Sequence, residues 1–311
     1  MAQLKAIVDK LLTNVSSAYI PKGYISEMYL PNVPVIQDTG KLGKYTDQHI
    51  RLENDVMAGQ GKARRVEPIR RTDSSFQIEH HGLEGLVTEA DRRNVEDPFE
   101  AERDEVIGLN TQVWLGKEKS LADLLGDDTV LTQNVTLSGT SQFNDFVNSD
   151  PLGRFLTARV TIYEKVGIPP DTASMPWDVF NTLAYHPGIL DTLGFTANRA
   201  GQLSEAELAK ALGVPRLLIG MAQFNSATEG QTAVRANVWG KNIVFSVTPK
   251  RPERYQTSLG YYLTLKNRKP REVFKEKVVN PPQATSIIVR DSYDMFLSNT
   301  GAGYLIKDAI A

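Results

Sequence analysis

The side chains best suited to acid–base or metal chemistry are few. The chain has four histidines in 311 residues, and only His80 and His81 adjoin, next to Glu79. Neighbours on a strand point to opposite faces, so this trio makes a poor ligand set for one ion. His186 lies in YHPG, a turn after a helical stretch, where a structural role is expected. There is no cysteine, which removes disulfides, thiolate zinc sites, iron–sulfur clusters and cysteine nucleophiles. AGQGKAR resembles a phosphate loop superficially, but the motif needs glycine where Val56 stands and Ser or Thr where Ala63 stands. TGAGY has two glycines without a strand–turn–helix setting. Neither GxSxG nor HExxH occurs. Asn134-Val-Thr136 matches a glycosylation acceptor, which means nothing without a secretory signal. The expectation is therefore no catalytic, cofactor-binding or metal-binding residue, no cofactor, and a role other than catalysis.

Composition is that of a soluble globular protein, 41% hydrophobic and 23% charged, with length for one large or two modest domains. A formal net charge of −2 argues against a strongly basic nucleic-acid binder, though not against a local basic face. The polar-interrupted start MAQLKAIVDKLL does not read as a signal peptide, and no apolar run approaches the roughly 20 residues of a membrane span.

The elements that would position any site are more distinctive than the site vocabulary. Asp97 to Gly126 reads as the longest helix, with Asp97 as N-cap, Pro98 as first helical residue and Gly126 as stop. Glu100, Glu102, Asp104 and Glu105 crowd its start, and Lys117 and Lys119 sit toward its end, which suits the helix dipole. Val106, Leu109, Val113, Leu121 and Leu124 form its apolar stripe, and the rod would be roughly 40 Å long. Before it, Leu4, Ile7, Val8, Leu11 and Leu12 share one helical face. Residues 21–45, broken by Pro21, Pro31 and Pro34 yet rich in apolar side chains, must lie along another surface, their own domain's or a neighbour's.

Residues 46–95 read as a two-armed ribbon, HIRLEN and SSFQIEHHGLEGLVTEA, with alternation at Phe76, Ile78, Leu83 and Leu86. Between the arms lie Lys62, Arg64, Arg65, Arg70 and Arg71 against one acid, Glu67. So long and polar a loop is uncommon unless it has a function. After the long helix, a second helix begins near Asp150–Pro151 and ends at Gly167, amphipathic through Leu152, Phe155, Leu156, Val160 and Tyr163. A helix follows from about Pro176 to Tyr185, and Ser204 with Glu207 opens another through a capping box. RLLIGMAQF, VRANVWGKNIVFSVT, SLGYYLTLK, VFKEKVVN, TSIIVRDSY and DMFLSN read as strands, and GAGYLIKDAIA as the tail. Extended arms, a basic ribbon and a long rod suit a subunit that interlocks with copies of itself.

The order of these segments resembles a known family. PPDTASMPWDVFNTLAYHPGI and the block LAKALGV, IGMAQFNSA and VWGKNIVF are its most specific parts, and the likeness covers nearly the whole chain. They are similar to blocks in major capsid proteins of tailed bacteriophages with the Hong Kong 97-like fold. The resemblance implies an α+β fold. Residues 1–45 would be an N-terminal arm lying over a neighbour, and 46–95 an extended loop crossing the adjacent subunit. Residues 96–182 and 269–311 would form a peripheral domain braced by a spine helix, and 183–268 an axial domain. It further implies self-assembly through hexamers and pentamers into an icosahedral shell around double-stranded DNA. The partners implied are portal protein, a separate scaffolding protein and packaged DNA held by weak non-specific contact, with a decoration protein as an open matter. The chain begins at the arm itself, so no long propeptide is expected to be removed. Localisation would be the virion capsid, assembled in the bacterial cytoplasm, with no membrane. The basic ribbon is expected to meet the acidic head of a neighbour's long helix. The alternatives are an encapsulin-like shell of the same fold and a soluble α+β enzyme.

Overall fold

In the computed structural model the described residues are 7–45, 71–94, 100–193, 202–251, 256–278 and 283–311. The chain opens with strand β1 (Ile7–Val8) and helix α1 (Lys10–Ala18), whose first free N–H groups are capped by Asp9. A short helix α2 (Ser26–Tyr29) and strands β2 (Asn32–Val35) and β3 (Thr39–Tyr45) follow. Strands β4 (Arg71–Gln77) and β5 (Glu79–Thr88) and helix α3 (Glu89–Asn94) precede the long helix α4 (Ala101–Gly126). Next come β6 (Asn134–Thr136), α5 (Pro151–Val166), β7 (Thr172–Pro176), α6 (Trp177–Ala184), α7 (Pro187–Thr192) and α8 (Glu205–Leu212). Strands β8 (Arg216–Gly220), β9 (Gln223–Asn225), β10 (Arg235–Asn237) and β11 (Ile243–Ser246) lead on to β12 (Gly260–Leu265). Last are β13 (Glu272–Val278), β14 (Ala284–Leu297) and β15 (Gly303–Lys307).

Two sheets organise these elements. One has the order β1-β13-β14-β12-β2, with β5 also paired to β14. Pro34 sits in β2, at the end of that order, where its missing N–H interrupts no further ladder. The other sheet has the order β6-β15-β11-β7-β8, and β7 within it is buried along its whole length. The boundary expected near residue 182 cuts through this second sheet, because β7 pairs in parallel with β8. The tail expected with residues 269–311 also belongs here, since β15 pairs with both β11 and β6.

Helix α4 connects the two layers. Its first half sends Val106, Leu109 and Val113 into a core shared with Leu12, Val87, Val273, Ile287 and Val289. Its second half sends Leu121, Ala122 and Leu125 into the main core against Phe155, Phe180 and Phe245. Twenty-six residues give a rod about 39 Å long. The helix begins at Ala101, with Glu100 extended, so the expected Asp97 start is not its start; Asp97 and Pro98 lie outside the described residues. Leu125, not Leu124, closes the buried stripe. Asp127 ends the helix by accepting the Thr129 N–H at 2.8 Å and turning the chain.

Helix α5 follows its signals closely. Asp150 caps it, Pro151 opens it, and Gly167 ends it at φ 76°, in the left-handed region that glycine reaches without strain. The expected ribbon differs. Its arms are β3 and β4, paired from Thr39↔Gln77 to Tyr45↔Arg71, whereas HIRLEN lies outside the described residues. The alternation through Phe76, Ile78, Leu83 and Leu86 also breaks, because β4 and β5 belong to different sheets. Phe76, Ile78 and Val87 are buried, and Leu83 and Leu86 are exposed. The first predicted helix starts later than its apolar pattern suggested: Ile7 and Val8 pair with β13 instead.

Candidate functional site

The densest cluster of functional groups is buried where the N-terminal segment crosses α4. Lys117 falls four residues after Val113 and four before Leu121, so helical periodicity carries a charge into the apolar stripe. Its Nζ lies 2.8 Å from Glu27 Oε1 and 3.3 Å from Asp291 Oδ2. The Tyr262 and Tyr293 rings lie 4.4 and 4.7 Å from it. A cation so buried is tolerable only with such partners. Arg271 completes the group. Its Nη1 donates to Glu27 Oε1 at 2.5 Å, its N–H to Asp291 Oδ1 at 3.4 Å, and its guanidinium lies 4.6 Å from the Trp114 ring centroid. Arg271 adopts φ 54°, a left-handed conformation costing a non-glycine residue on the order of 1 kcal/mol, and these contacts hold it there.

Glu118, the next residue along α4, faces the same segment from the other side. It is fully buried and accepts from the Ile25 N–H at 3.0 Å, the Ser26 N–H at 2.8 Å and the Trp239 indole N–H at 2.7 Å. The carboxylate thus supplies acceptors to the uncapped start of α2, where donors lack intrahelical partners. Beyond it, the buried Tyr29 hydroxyl donates to Ser246 Oγ at 2.8 Å, and burial pushes its pKa up to about 12. Arg216 donates to the Tyr29 carbonyl at 3.4 Å and to Thr248 Oγ1 at 2.8 Å.

Of the two surfaces open to residues 21–45, Ile25, Ser26, Tyr29 and Leu30 take that of their own chain, in which they are buried. The sequence reading missed Glu27, Glu118, Arg271 and Asp291, which are scattered along the chain and form no motif. The visible signal was Lys117 interrupting an apolar i, i+4 series, and it was assigned instead to the helix dipole.

The described histidines make structural contacts. His186 is buried, its Nδ1 accepts the Gly188 N–H at 3.2 Å as N-cap of α7, and its Nε2 lies 3.0 Å from Ser149 Oγ. Burial lowers its pKa, and Asp150 opposes that shift. His80 Nδ1 lies 2.8 Å from Ser292 Oγ, and His81 stacks on Tyr293. No group of three or more His, Cys, Asp or Glu able to hold a metal occurs among the described residues. No described helix is long and apolar enough to cross a membrane. TGAGY is a 3-10 turn running into β15.

Two candidate contact surfaces remain. Lys62, Arg64, Arg65 and Arg70, with AGQGKAR, lie outside the described residues. Of the acids expected to receive them, Glu102 is already engaged by Arg92 and Lys275 of its own chain, and Glu105 packs against Gly85. Glu100 and Asp104 are exposed. The second surface is on α5. Its inward face is Phe155, Ala158 and Ile162, so three residues of its predicted stripe point outward: Leu156, Val160 and Tyr163 are 59%, 44% and 57% exposed.

No family model matches the chain. The chain is 25% identical over 308 residues to the major capsid protein of Burkholderia phage BcepMu, spanning 97% of this chain and 96% of that protein. A phage-related protein from Bordetella bronchiseptica RB50 superimposes with a TM-score of 0.75 at 21% identity, over 98% of each chain. The capsid of cyanophage P-SCSP1u does so at a TM-score of 0.55 and 10% identity, over 94% of this chain and 89% of that one. The fold is that of Hong Kong 97-like capsid proteins.

Proposed function

We propose that this chain is the major capsid protein of a tailed phage, a structural subunit that assembles with its own copies into an icosahedral shell. The observation that carries the reading is the end-to-end relation to a phage head protein, at 25% identity over 97% of this chain. It supports a phage head over an encapsulin-like cargo shell, which the fold alone leaves equivalent. It also supports a structural role over an enzymatic one.

Within that reading, the sheet containing β14 together with α4 makes the peripheral part of the tile. The sheet containing β7, with α5 to α8, makes the axial part, whose loops meet at hexamer and pentamer centres. The ribbon β3–β4 is the described part of the extended loop that would meet the adjacent subunit. Scaffolding protein, portal protein and packaged double-stranded DNA are the partners, DNA through weak contact consistent with a formal net charge of −2. The shell forms in the host cytoplasm and becomes the virion capsid. Many modest contacts suffice, because each copy makes several at once.

Negative-stain microscopy of the purified protein, alone and co-expressed with a scaffolding protein, tests the reading. Closed shells or hexameric and pentameric capsomers are expected. A single small oligomer under both conditions overturns it.

A further inference from the structure

We propose that residues 19–31 are a brace that fixes the angle between the two sheets, and thereby the curvature each subunit brings to a shell. The inference rests on the shell-forming role proposed above. Its basis is where this short segment is anchored. On the side of the β7 sheet, Met221 N–H donates to the Gly23 carbonyl at 2.9 Å, Tyr29 reaches Ser246 on β11, and Arg216 on β8 reaches the Tyr29 carbonyl. On the side of the β14 sheet, the Tyr262 N–H donates to the Pro31 carbonyl at 2.9 Å, and Arg271 binds Glu27. Between them, Lys117 and Glu118 pin the segment to the helix that runs under both sheets.

The anchors are of a rigid kind. Lys117, Glu118, Arg271 and Asp291 are buried charges. Breaking such a set leaves charges without partners, so intermediate positions of the segment are costly and one geometry is selected. Contact with the β8 end is close: Gly23 lies at φ 82°, and a Cβ there would meet Met221 Cβ at 2.5 Å. A segment fixed at both ends and in the middle can slide only if several of these bonds break together. In a shell, any play in the angle is repeated in every copy, so tile geometry decides whether the surface closes at one size.

The absence of cysteine allows a direct test, because a label pair can be placed without background. Lys165→Cys on α5 and Lys277→Cys on β13, both exposed positions, report across the two sheets. The pair is spin-labelled in otherwise wild-type chain, in Glu27→Gln and in Glu118→Gln, and the inter-label distance distribution is measured beside far-UV circular dichroism and shell diameter. The expected result is a broader distance distribution in both variants, unchanged secondary structure, and shells of mixed diameter or open sheets. An unchanged distribution overturns the proposal. So does a broadened distribution with shells as uniform as wild type. Should Glu118→Gln not fold, Glu27→Gln decides alone, since that side chain is one-third exposed and keeps an acceptor oxygen. If unmodified protein gives only a single small oligomer, alone and with scaffolding protein, the proposed function falls, and an unbroadened distribution still overturns the brace separately.

Discussion

Glu118 shows what a single buried carboxylate does here. Three donors converge on it, from Ile25, Ser26 and Trp239. Glu118→Ala would leave all three buried without an acceptor, at about 1–3 kcal/mol each. The expected loss, measured by urea unfolding of the unassembled subunit, is about 3 kcal/mol or more; a loss below about 1 kcal/mol would refute the role. His186 gives the pH dependence. Its folded-state pKa lies below the unfolded value, so its neutral form contributes stability that is full above about 6.5 and is lost as pH falls through the lowered folded value. His186→Asn keeps a side-chain acceptor for the N-cap and removes the titration. The melting temperature of that variant should decline less than wild type between about pH 7 and pH 5, a window that spans a histidine's ordinary value and the range below it. Parallel curves would refute it. A structural role for His186 was legible from its place in YHPG, but its capping of α7 was not, because the sequence reads there as a turn. Glu118 was not, because its partners lie in segments that only folding brings together.

Helices show the same contrast at the level of the element. Both ends of α5 were readable because Asp150, Pro151 and Gly167 act locally. The head of α4 was misread because acids and a proline invite an early start, while the chain holds Glu100 extended. β15 was read as a tail because GYLIK is short, and its burial comes from β6 and β11, far away in sequence. The apolar stripe read along α5 divides between an inward face and the exposed Leu156, Val160 and Tyr163, because apolar spacing alone does not say which partner covers it. Within α4, Gly108 and Gly116 are helical, and a Cβ at either would meet no atom within 4 Å. Gly108→Ala and Gly116→Ala should each stabilise the free subunit by about 0.5–1 kcal/mol, read from the urea midpoint. Destabilisation by either would refute this.

For the whole molecule, the sequence order of arm, ribbon, rod and sheets is enough to suggest the fold, and the superposition on phage capsid structures bears that fold out. How the parts group was not readable, because strands far apart in the chain share a sheet. The basic cluster belongs to this scale too. Reversing Arg64, Arg65, Arg70 and Arg71 to Glu should abolish shells in sedimentation while the subunit keeps its circular dichroism. Normal particles would refute a charged contact between copies. With Glu102 held by Arg92 and Lys275, the receiving acids on the neighbour are narrowed to exposed ones such as Glu100 and Asp104.

The place of β15 in its sheet has a further consequence for how the protein is made. It lies between β6 and β11, yet it emerges from the ribosome after both of them. Until it arrives, β11 lacks one neighbour and β6 has none in that sheet, and unpaired strand edges are sticky. Nascent chains on one messenger would present these open edges to each other at high local concentration. Pairing of β15 therefore fills the middle of the sheet and covers the edges through which two unfinished chains would adhere.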